Sequence, residues 1–145
     1  MKTYKLNDLN NPLISVLMPA NKTEKYIKEA IESILNQTFS NFEFIIIDDG
    51  SIDATEEIIK SFKDSRIVYI KNEKNLGLIK TLNKGISIAR GEFIARMDSD
   101  DISMPQRFEL QLDVFKKYKG VDIVNVALKK MSEDEASDYI LGLSE

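Results

Sequence analysis

The stretch GEFIARMDSDD, residues 91–101, joins a short apolar segment to three closely spaced acidic residues. The apolar part has the pattern of a buried strand, and the three acids are Asp98, Asp100 and Asp101. Carboxylates this close repel one another and lose hydration when they are buried, so a stable fold needs a reason to keep them. One reason is that they cap the following helix. The other is an oxygen-rich site for Mg²⁺ or Mn²⁺, and the stretch alone leaves both open.

The composition excludes several classes of chemistry. The 145 residues fit one domain, and 20 basic against 24 acidic residues give a net charge of −4, which argues against a nucleic-acid partner. Cysteine and histidine are both absent. A cysteine nucleophile, a histidine base and a thiolate or histidine metal site are therefore excluded, and any chemistry must use carboxylates, lysines, hydroxyls and backbone amides.

The chain divides into a polar lead-in (1–11), one α/β domain (12–128) and a charged tail (129–145). No apolar run is long enough for a transmembrane helix, and the polar start at residues 1–5 lacks the apolar core of a signal peptide. The sequence therefore favours the cytoplasm, with association at the inner face of a membrane or formation of a homo-oligomer left open.

Strand and helix patterns alternate through the domain. We predict strands at 13–18, 42–47, 66–70, 93–97 and 121–127, and helices at 24–37, 53–62, 78–90 and 103–119. Such alternation predicts right-handed crossovers and a mostly parallel sheet with helices on both faces. The apolar residues expected to face inward are Leu78, Leu82, Ile86 and Ala89 in the third helix, and Phe108, Leu112 and Phe115 in the fourth.

Two helix starts carry capping signals. Asp53 followed by Glu56 resembles a capping box, and Ser103 with Gln106 has the same spacing, with Pro105 in the first turn. We therefore expect helices to begin at these points.

Polar groups follow three of the predicted strands. Pro19–Asn21 follows the first strand, Asp48–Ser51 the second and Asp98–Asp101 the fourth. Ligands bind outside the carboxyl ends of the strands in an open parallel sheet, so two acidic strand ends at one edge favour a ligand site over plain capping. A site with few protein oxygens would hold Mg²⁺ or Mn²⁺ together with phosphate oxygens, which suits a nucleoside diphosphate. The glycine-rich phosphate loops of nucleotide hydrolases and dinucleotide enzymes are missing.

Five segments together resemble the family 2 glycosyltransferases. They are PLISVLMP (12–19), SILNQT (33–38), IIDDGS (46–51), NLG (75–77) and MDSDD (97–101), and the similarity extends over residues 12–127. The resemblance implies the GT-A fold and transfer of a sugar from a nucleoside-diphosphate donor with inversion at the anomeric carbon. It also implies a role in building polysaccharides or other surface glycans, on a glycan or lipid-linked acceptor.

The resemblance also implies roles for individual residues. Asp49 would accept a hydrogen bond from the base of the donor, and Asp98 and Asp100 would form the Asp-Xaa-Asp element. Asp100 would bind the metal directly, Asp98 would lie on the sugar or ribose side and help to hold the metal, and Asp101 would cap the next helix. The implied nucleotide-sugar site consists of Pro19, Asn21, Asp49, Lys80, Asp98 and Ser99.

The chain departs from the family pattern at three places. Asn21 and Lys22 stand where the family usually has an aromatic residue and Asn, and Leu82 stands where many members have a phosphate-binding arginine, for which Lys80 is a substitute. The family's catalytic base is a carboxylate farther downstream, and residues 133–135 are better explained as a solvated acidic tail than as that base.

Two functions follow from this sequence, and a third is disfavoured. The chain is either a glycosyltransferase or a truncated, catalytically incomplete nucleotide-sugar-binding domain that acts with a partner or is inactive. A phosphoacceptor receiver domain would need acids after the first strand and a lysine after the last, and neither is evident.

Overall fold

A parallel sheet forms the centre of the computed structural model, which describes residues 11–129. The strands are β1 (Ile14–Ala20), β2 (Phe42–Asp48), β3 (Ile67–Lys71) and β4 (Phe93–Arg96), and the helices are α1 (Ile27–Leu35), α2 (Thr55–Ser61), α3 (Leu78–Ile88) and α4 (Arg107–Lys117). Residues 1–10 and 130–145 lie outside the described part, so most of the predicted lead-in and tail, including residues 133–135, lies there too.

The strand order is β3-β2-β1-β4, and all three pairings are parallel. The register sets Ile14 opposite both Phe42 and Phe93. The two central strands are buried along nearly their whole length, as their continuous apolar sequences predicted. The chain adds β2 and β3 on one side of β1 and then places β4 on the other side. The strand order therefore reverses at β1, where a ligand crevice opens in sheets of this kind.

Alternate residues of the central strands pack on opposite faces of the sheet. Met18, Phe44 and Ile46 belong to a large core with α1, α2 and α4, whereas Leu17 and Ile47 pack with α3 residues in a smaller one. The predicted helices on both faces are therefore confirmed.

Helix α3 lies against the sheet through different residues than predicted. Leu82 and Ala89 pack on the smaller core, but Leu78 and Ile86 are 50% and 54% exposed. The buried positions are Thr81 and Gly85. A Cβ atom at Gly85 would lie 2.1 Å from Leu17 Cδ1, so the missing side chain lets the helix approach β1 closely. Because of this close approach, the face of α3 that is buried against the sheet is formed by the small residues Thr81 and Gly85.

The last predicted strand, 121–127, does not form within the described residues. This segment has no regular structure, and Ile123 is 78% exposed. Its backbone meets α4 through the Gln111 amide, which donates to the Val124 carbonyl at 3.0 Å. High β propensity without a paired strand is insufficient to form one.

Three predicted helix starts are also wrong. Helix α1 begins at Ile27, α2 at Thr55 and α4 at Arg107. Glu56 does not complete a capping box, because its carboxylate pairs with Lys60 and Lys71. Instead, Glu24 and Asp53 cap across the two helices: the Glu24 carboxylate accepts from the Ala54 N–H at 2.8 Å and the Asp53 carboxylate from the Glu24 N–H at 3.4 Å.

Neither Ser103 nor Asp101 caps α4. The residue at the N-cap position is Gln106, and its side chain makes no capping hydrogen bond. Ser103 is buried beside α1, where its N–H donates to Ser33 Oγ at 3.0 Å. Tertiary contacts with α1 therefore outweigh the local capping signal. Within residues 11–129, no helix combines the length and apolarity needed to cross a membrane.

Candidate functional site

A cleft of about 350 Å³ opens at the carboxyl ends of β1, β2 and β4. It brings together most of the residues singled out from the sequence: Pro19, Asn21, Asp49, Asp98, Ser99 and Asp100 all line it. The two acidic strand ends therefore share one cavity, as the strand-end argument predicted.

Lys80 lies apart from this group. It is exposed on the first turn of α3 and is not among the residues that line the cleft, whereas Thr81, the next residue, is. The proposed phosphate contact of Lys80 has no geometric support here.

Asp49 is a buried carboxylate that the chain itself surrounds with N–H donors. Its Oδ1 accepts from the Asn72 side-chain amide at 2.8 Å and from the Leu76 N–H at 2.9 Å, and its Oδ2 accepts from the Gly77 N–H at 2.9 Å. The Thr81 hydroxyl also hydrogen-bonds the Asp49 carboxylate, so four groups of the chain donate to it. The side chain therefore holds the loop from β3 to α3 while it also lines the cleft.

The pKa of Asp49 reflects this environment. Burial raises the pKa of the carboxyl, but the Leu76 N–H and the Asn72 amide outweigh burial and lower it below its ordinary value of 3.8. Asp49 is therefore an anion at neutral pH, stabilised by uncharged donors.

The neighbouring residues fix the end of β2. Asp48 is fully buried, and its carboxylate accepts from the Ser51 N–H at 2.8 Å and from the Tyr69 hydroxyl at 3.3 Å. Gly50 has φ = +73°, and a Cβ atom there would lie 2.7 Å from the Asn75 nitrogen, so the turn requires glycine. The Asn21 amide donates to the Asp49 carbonyl at 2.7 Å and joins the ends of β1 and β2. Asp48 and Asn21 thus have structural contacts.

The acidic end of β4 is arranged differently. Asp98 is 44% exposed along its side chain and pairs with Arg96 at 2.8 Å, whereas Ser99 is buried. Asp100 is exposed, and within residues 11–129 its carboxylate has no hydrogen bond or ion pair. These carboxylates are available to a ligand from outside the chain.

The segment after the acids is anchored through Gln37 of the SILNQT segment. Its buried side-chain amide donates to Ser103 Oγ at 3.2 Å and to the Met104 carbonyl at 2.7 Å, and its oxygen accepts from the Phe108 N–H at 3.3 Å. The acidic turn is thus positioned from α1, without using its own carboxylates.

The carboxylate oxygens at the end of β4 suit a hard divalent cation that also binds a ligand. Loss of hydration, together with the charges of Asp98 and Asp100, raises the pKa of Asp101, which shows that negative charge accumulates here. Within the described residues, no group of three or more His, Cys, Asp or Glu side chains could hold a metal alone. Two carboxylates with open positions suit Mg²⁺ or Mn²⁺ that completes its shell with water and phosphate oxygens.

The sequence predicts no role for three residues at or beside the cleft. Asn72 follows β3 and binds Asp49, Thr81 lines the cleft from α3, and Arg96 ends β4 beside Asp98. Asn72 could have been found by extending the strand-end rule to β3. Thr81 carries no comparable signal, because its place depends on how closely α3 approaches the sheet.

The family model described as "Glycosyl transferase family 2" matches residues 15–141. A protein of Methanocaldococcus jannaschii named as an uncharacterized glycosyltransferase is 46% identical over 123 residues, which cover 82% of this chain and 42% of that protein. S. aureus TarS (residues 1–349), solved in complex with UDP-GlcNAc, is 28% identical with a TM-score of 0.69, covering 79% of this chain and 37% of that 1–349 chain.

A third similar structure is glucosyl-3-phosphoglycerate synthase from Mycobacterium tuberculosis, in complex with Mn²⁺, uridine diphosphate and phosphoglyceric acid. It is 27% identical with a TM-score of 0.53, over 64% of this chain and 34% of the synthase. The chain thus spans roughly two fifths of the length of such relatives. These similarities confirm the predicted GT-A fold.

Proposed function

Because the chain belongs to glycosyl transferase family 2, we propose that it forms the donor site of a metal-dependent, inverting glycosyltransferase. The donor is a nucleoside-diphosphate sugar, and the acceptor is a growing surface glycan or a lipid-linked precursor. One observation carries the proposal: a single cleft holds the buried, anionic carboxylate of Asp49 together with the more accessible carboxylates of Asp98 and Asp100. The first suits an N–H of a base, and the second pair suits a cation with a diphosphate.

Different parts of the nucleotide-sugar donor bind at the two ends of the cleft. Asp49 accepts from the base, while Pro19 and Asn21 form the wall between the base and the sugar. Asp98 and Ser99 lie toward the ribose and the sugar. Many family members have a phosphate-binding arginine where this chain has Leu82. Arg96 supplies a positive charge instead, because it lines the cleft and its exposed guanidinium pairs with Asp98. We assign it the phosphate contact in preference to Lys80.

Asp100, assisted by Asp98, would hold Mg²⁺ or Mn²⁺. When bound, the metal neutralises the charge that develops on the departing nucleoside diphosphate. The related synthase, solved with Mn²⁺ and uridine diphosphate, supports the use of a divalent metal together with a nucleotide. Around that ion, the buried Ser99 and the Gln37 anchor keep the acidic turn in one geometry, which limits the reorganisation needed as charge develops.

A second function is favoured by a different observation. The carboxylates that line the cleft are Asp49, Asp98 and Asp100, and all three are used in donor binding. Within the described residues, the cleft therefore holds no further carboxylate for a catalytic base. The alternative is a nucleotide-sugar-binding domain that needs a partner for transfer. Release of free sugar from the donor by the isolated chain would favour the enzyme, and binding without turnover would favour the alternative.

The donor site is tested by calorimetry with uridine- and guanosine-diphosphate sugars, with and without MnCl₂. We expect binding that requires the metal and weakens at least about tenfold in Asp100→Asn. Asp113→Asn is the matched control, because that carboxylate lies exposed on α4 and pairs with Lys116. Failure of the native chain to bind any nucleotide, or equal binding by Asp100→Asn, would contradict the proposal.

A further inference from the structure

Asp49 is supported by Asn72, the residue after β3, and Asn72 in turn contacts Lys84 of α3. Asn72 is 3% exposed, and its side-chain nitrogen donates to Asp49 Oδ1 at 2.8 Å and to Thr81 Oγ1 at 3.3 Å. The Lys84 ammonium lies 2.7 Å from Asn72 Oδ1. Lys84, Asn72 and Asp49 therefore form one line of hydrogen bonds from the surface to the cleft.

The direction of these hydrogen bonds follows from the chemistry of lysine. An ammonium group has three donors and no acceptor, so the atom of Asn72 that faces Lys84 must be the amide oxygen. The amide nitrogen must then face Asp49 and Thr81. A positive charge on the oxygen side polarises the amide and strengthens its donation on the nitrogen side. The lysine therefore fixes both the orientation of the amide and its role as a donor.

We propose that Asn72 and Lys84 are positioning residues that make the site select bases with a ring N–H, as in uracil, thymine and guanine. This inference rests on the proposed function, in which Asp49 reads the base. Asn72, Leu76, Gly77 and Thr81 all hydrogen-bond Asp49 and keep its carboxylate ionised, so it can meet a base only as an acceptor. Cytosine and adenine present an unprotonated ring nitrogen at the corresponding edge. Two acceptors would then face each other across a nearly dry contact, which is strongly unfavourable.

The same hydrogen bonds explain why the selection is strict. Asp49 is 4% exposed, so it has little freedom to turn another group toward the ligand. The Gly77 N–H at 2.9 Å from Oδ2 and the Leu76 N–H at 2.9 Å from Oδ1 prevent rotation of the carboxylate. Asn72 and Lys84 complete this arrangement on the side away from the ligand.

The test compares uridine diphosphate with cytidine diphosphate, which differ at one edge of the pyrimidine ring. Dissociation constants are measured by calorimetry in MnCl₂ for the native chain, Asn72→Leu, Lys84→Met and Lys84→Arg. We expect the native chain to prefer uridine diphosphate by at least about tenfold. Asn72→Leu should lose most of this preference, Lys84→Met should reduce it about threefold, and Lys84→Arg should restore it.

The ratio of the two affinities separates positioning from simple damage. A variant that merely disturbs the loop weakens both nucleotides alike and leaves the ratio unchanged. Lys116→Met is the control for loss of a surface charge, since Lys116 pairs with Asp113 on α4. If Asn72→Leu fails to fold, the partly buried Lys84 on α3 still allows the test.

Asp49→Asn distinguishes failure of this inference from failure of the donor site. An asparagine can present its amide N–H to cytosine, so the preference should fall or invert in Asp49→Asn. If the native chain shows no preference, or Asp49→Asn retains it, base reading by Asp49 is wrong. If Asp49→Asn behaves as expected but Asn72→Leu and Lys84→Met keep the native ratio, only the positioning role is wrong.

Discussion

The two acidic strand ends that meet in the cleft are stabilised in opposite ways. At the end of β2, the Asp49 carboxylate accepts from Asn72, Leu76 and Gly77, and the loop depends on it. At the end of β4, Gln37 holds the following segment from outside, and the Asp100 carboxylate is exposed. In the first region the acid organises the protein, and in the second the protein positions the acid.

This difference shows how one sheet edge can serve two parts of one ligand. A carboxylate with fixed donors cannot move, which suits the reading of a base by one hydrogen bond. A carboxylate that contributes nothing to folding can bind a cation without breaking internal contacts. The acidic residues that bind the cation at the β4 end therefore contribute little to folding stability. At the β2 end, ligand binding and folding stability depend on the same atoms.

The largest expected effect is on folding. Asp49→Ala should lower the free energy of unfolding by about 3 kcal/mol, because three N–H groups lose a charged acceptor. Asp100→Ala should change it by less than about 0.5 kcal/mol, as is usual for an exposed side chain without internal partners. Urea unfolding followed by circular dichroism at pH 7 measures both. Equal losses in the two variants would contradict the contrast between the strand ends.

A smaller effect is expected from the anchor of the β4 end. Gln37→Leu should cost about 2 kcal/mol, since the Phe108 N–H and the Met104 carbonyl lose a buried partner. It should also weaken metal-dependent nucleotide binding, although Gln37 does not line the cleft. Gln106→Leu is the control, because that side chain is exposed and caps nothing. If Gln37→Leu loses stability and retains native nucleotide affinity, the acidic turn does not depend on this anchor.

The sequence was sufficient to predict the fold because the strands of the central sheet are short apolar runs that end in polar turns. The same rule placed Asp49 and Asp98–Asp100 in one cleft, because parallel strands present their carboxyl ends at a common edge. Features set by contacts between distant segments could not be predicted. Ser103 begins no helix because Ser33 binds its N–H, and Leu78 is exposed because Gly85 lets α3 approach β1. Asn72 and Lys84 are separated by twelve positions, and only the β3–α3 geometry brings them together.

The smallest expected effect concerns acid pH and separates two kinds of low-pKa carboxylate. The pKa of Asp49 lies below its ordinary value of 3.8, so its stabilising contribution is complete above pH 3.8 and is lost as the pH falls through the folded pKa. Native protein should therefore exceed Asp49→Asn in stability at pH 6, and the gap should narrow below pH 4. Hydrogen bonds from Lys60 and Lys71 lower the pKa of the partly exposed Glu56 to about 2. The stability difference between the native protein and Glu56→Gln should therefore be lost as the pH falls from about 4.5 to 2. Salt distinguishes them in urea titrations: 1 M NaCl screens the lysines around Glu56 but not the uncharged, buried donors around Asp49. A gap for Asp49→Asn that stays constant with pH, or that disappears in salt, would show that its donors do not stabilise the charge as described.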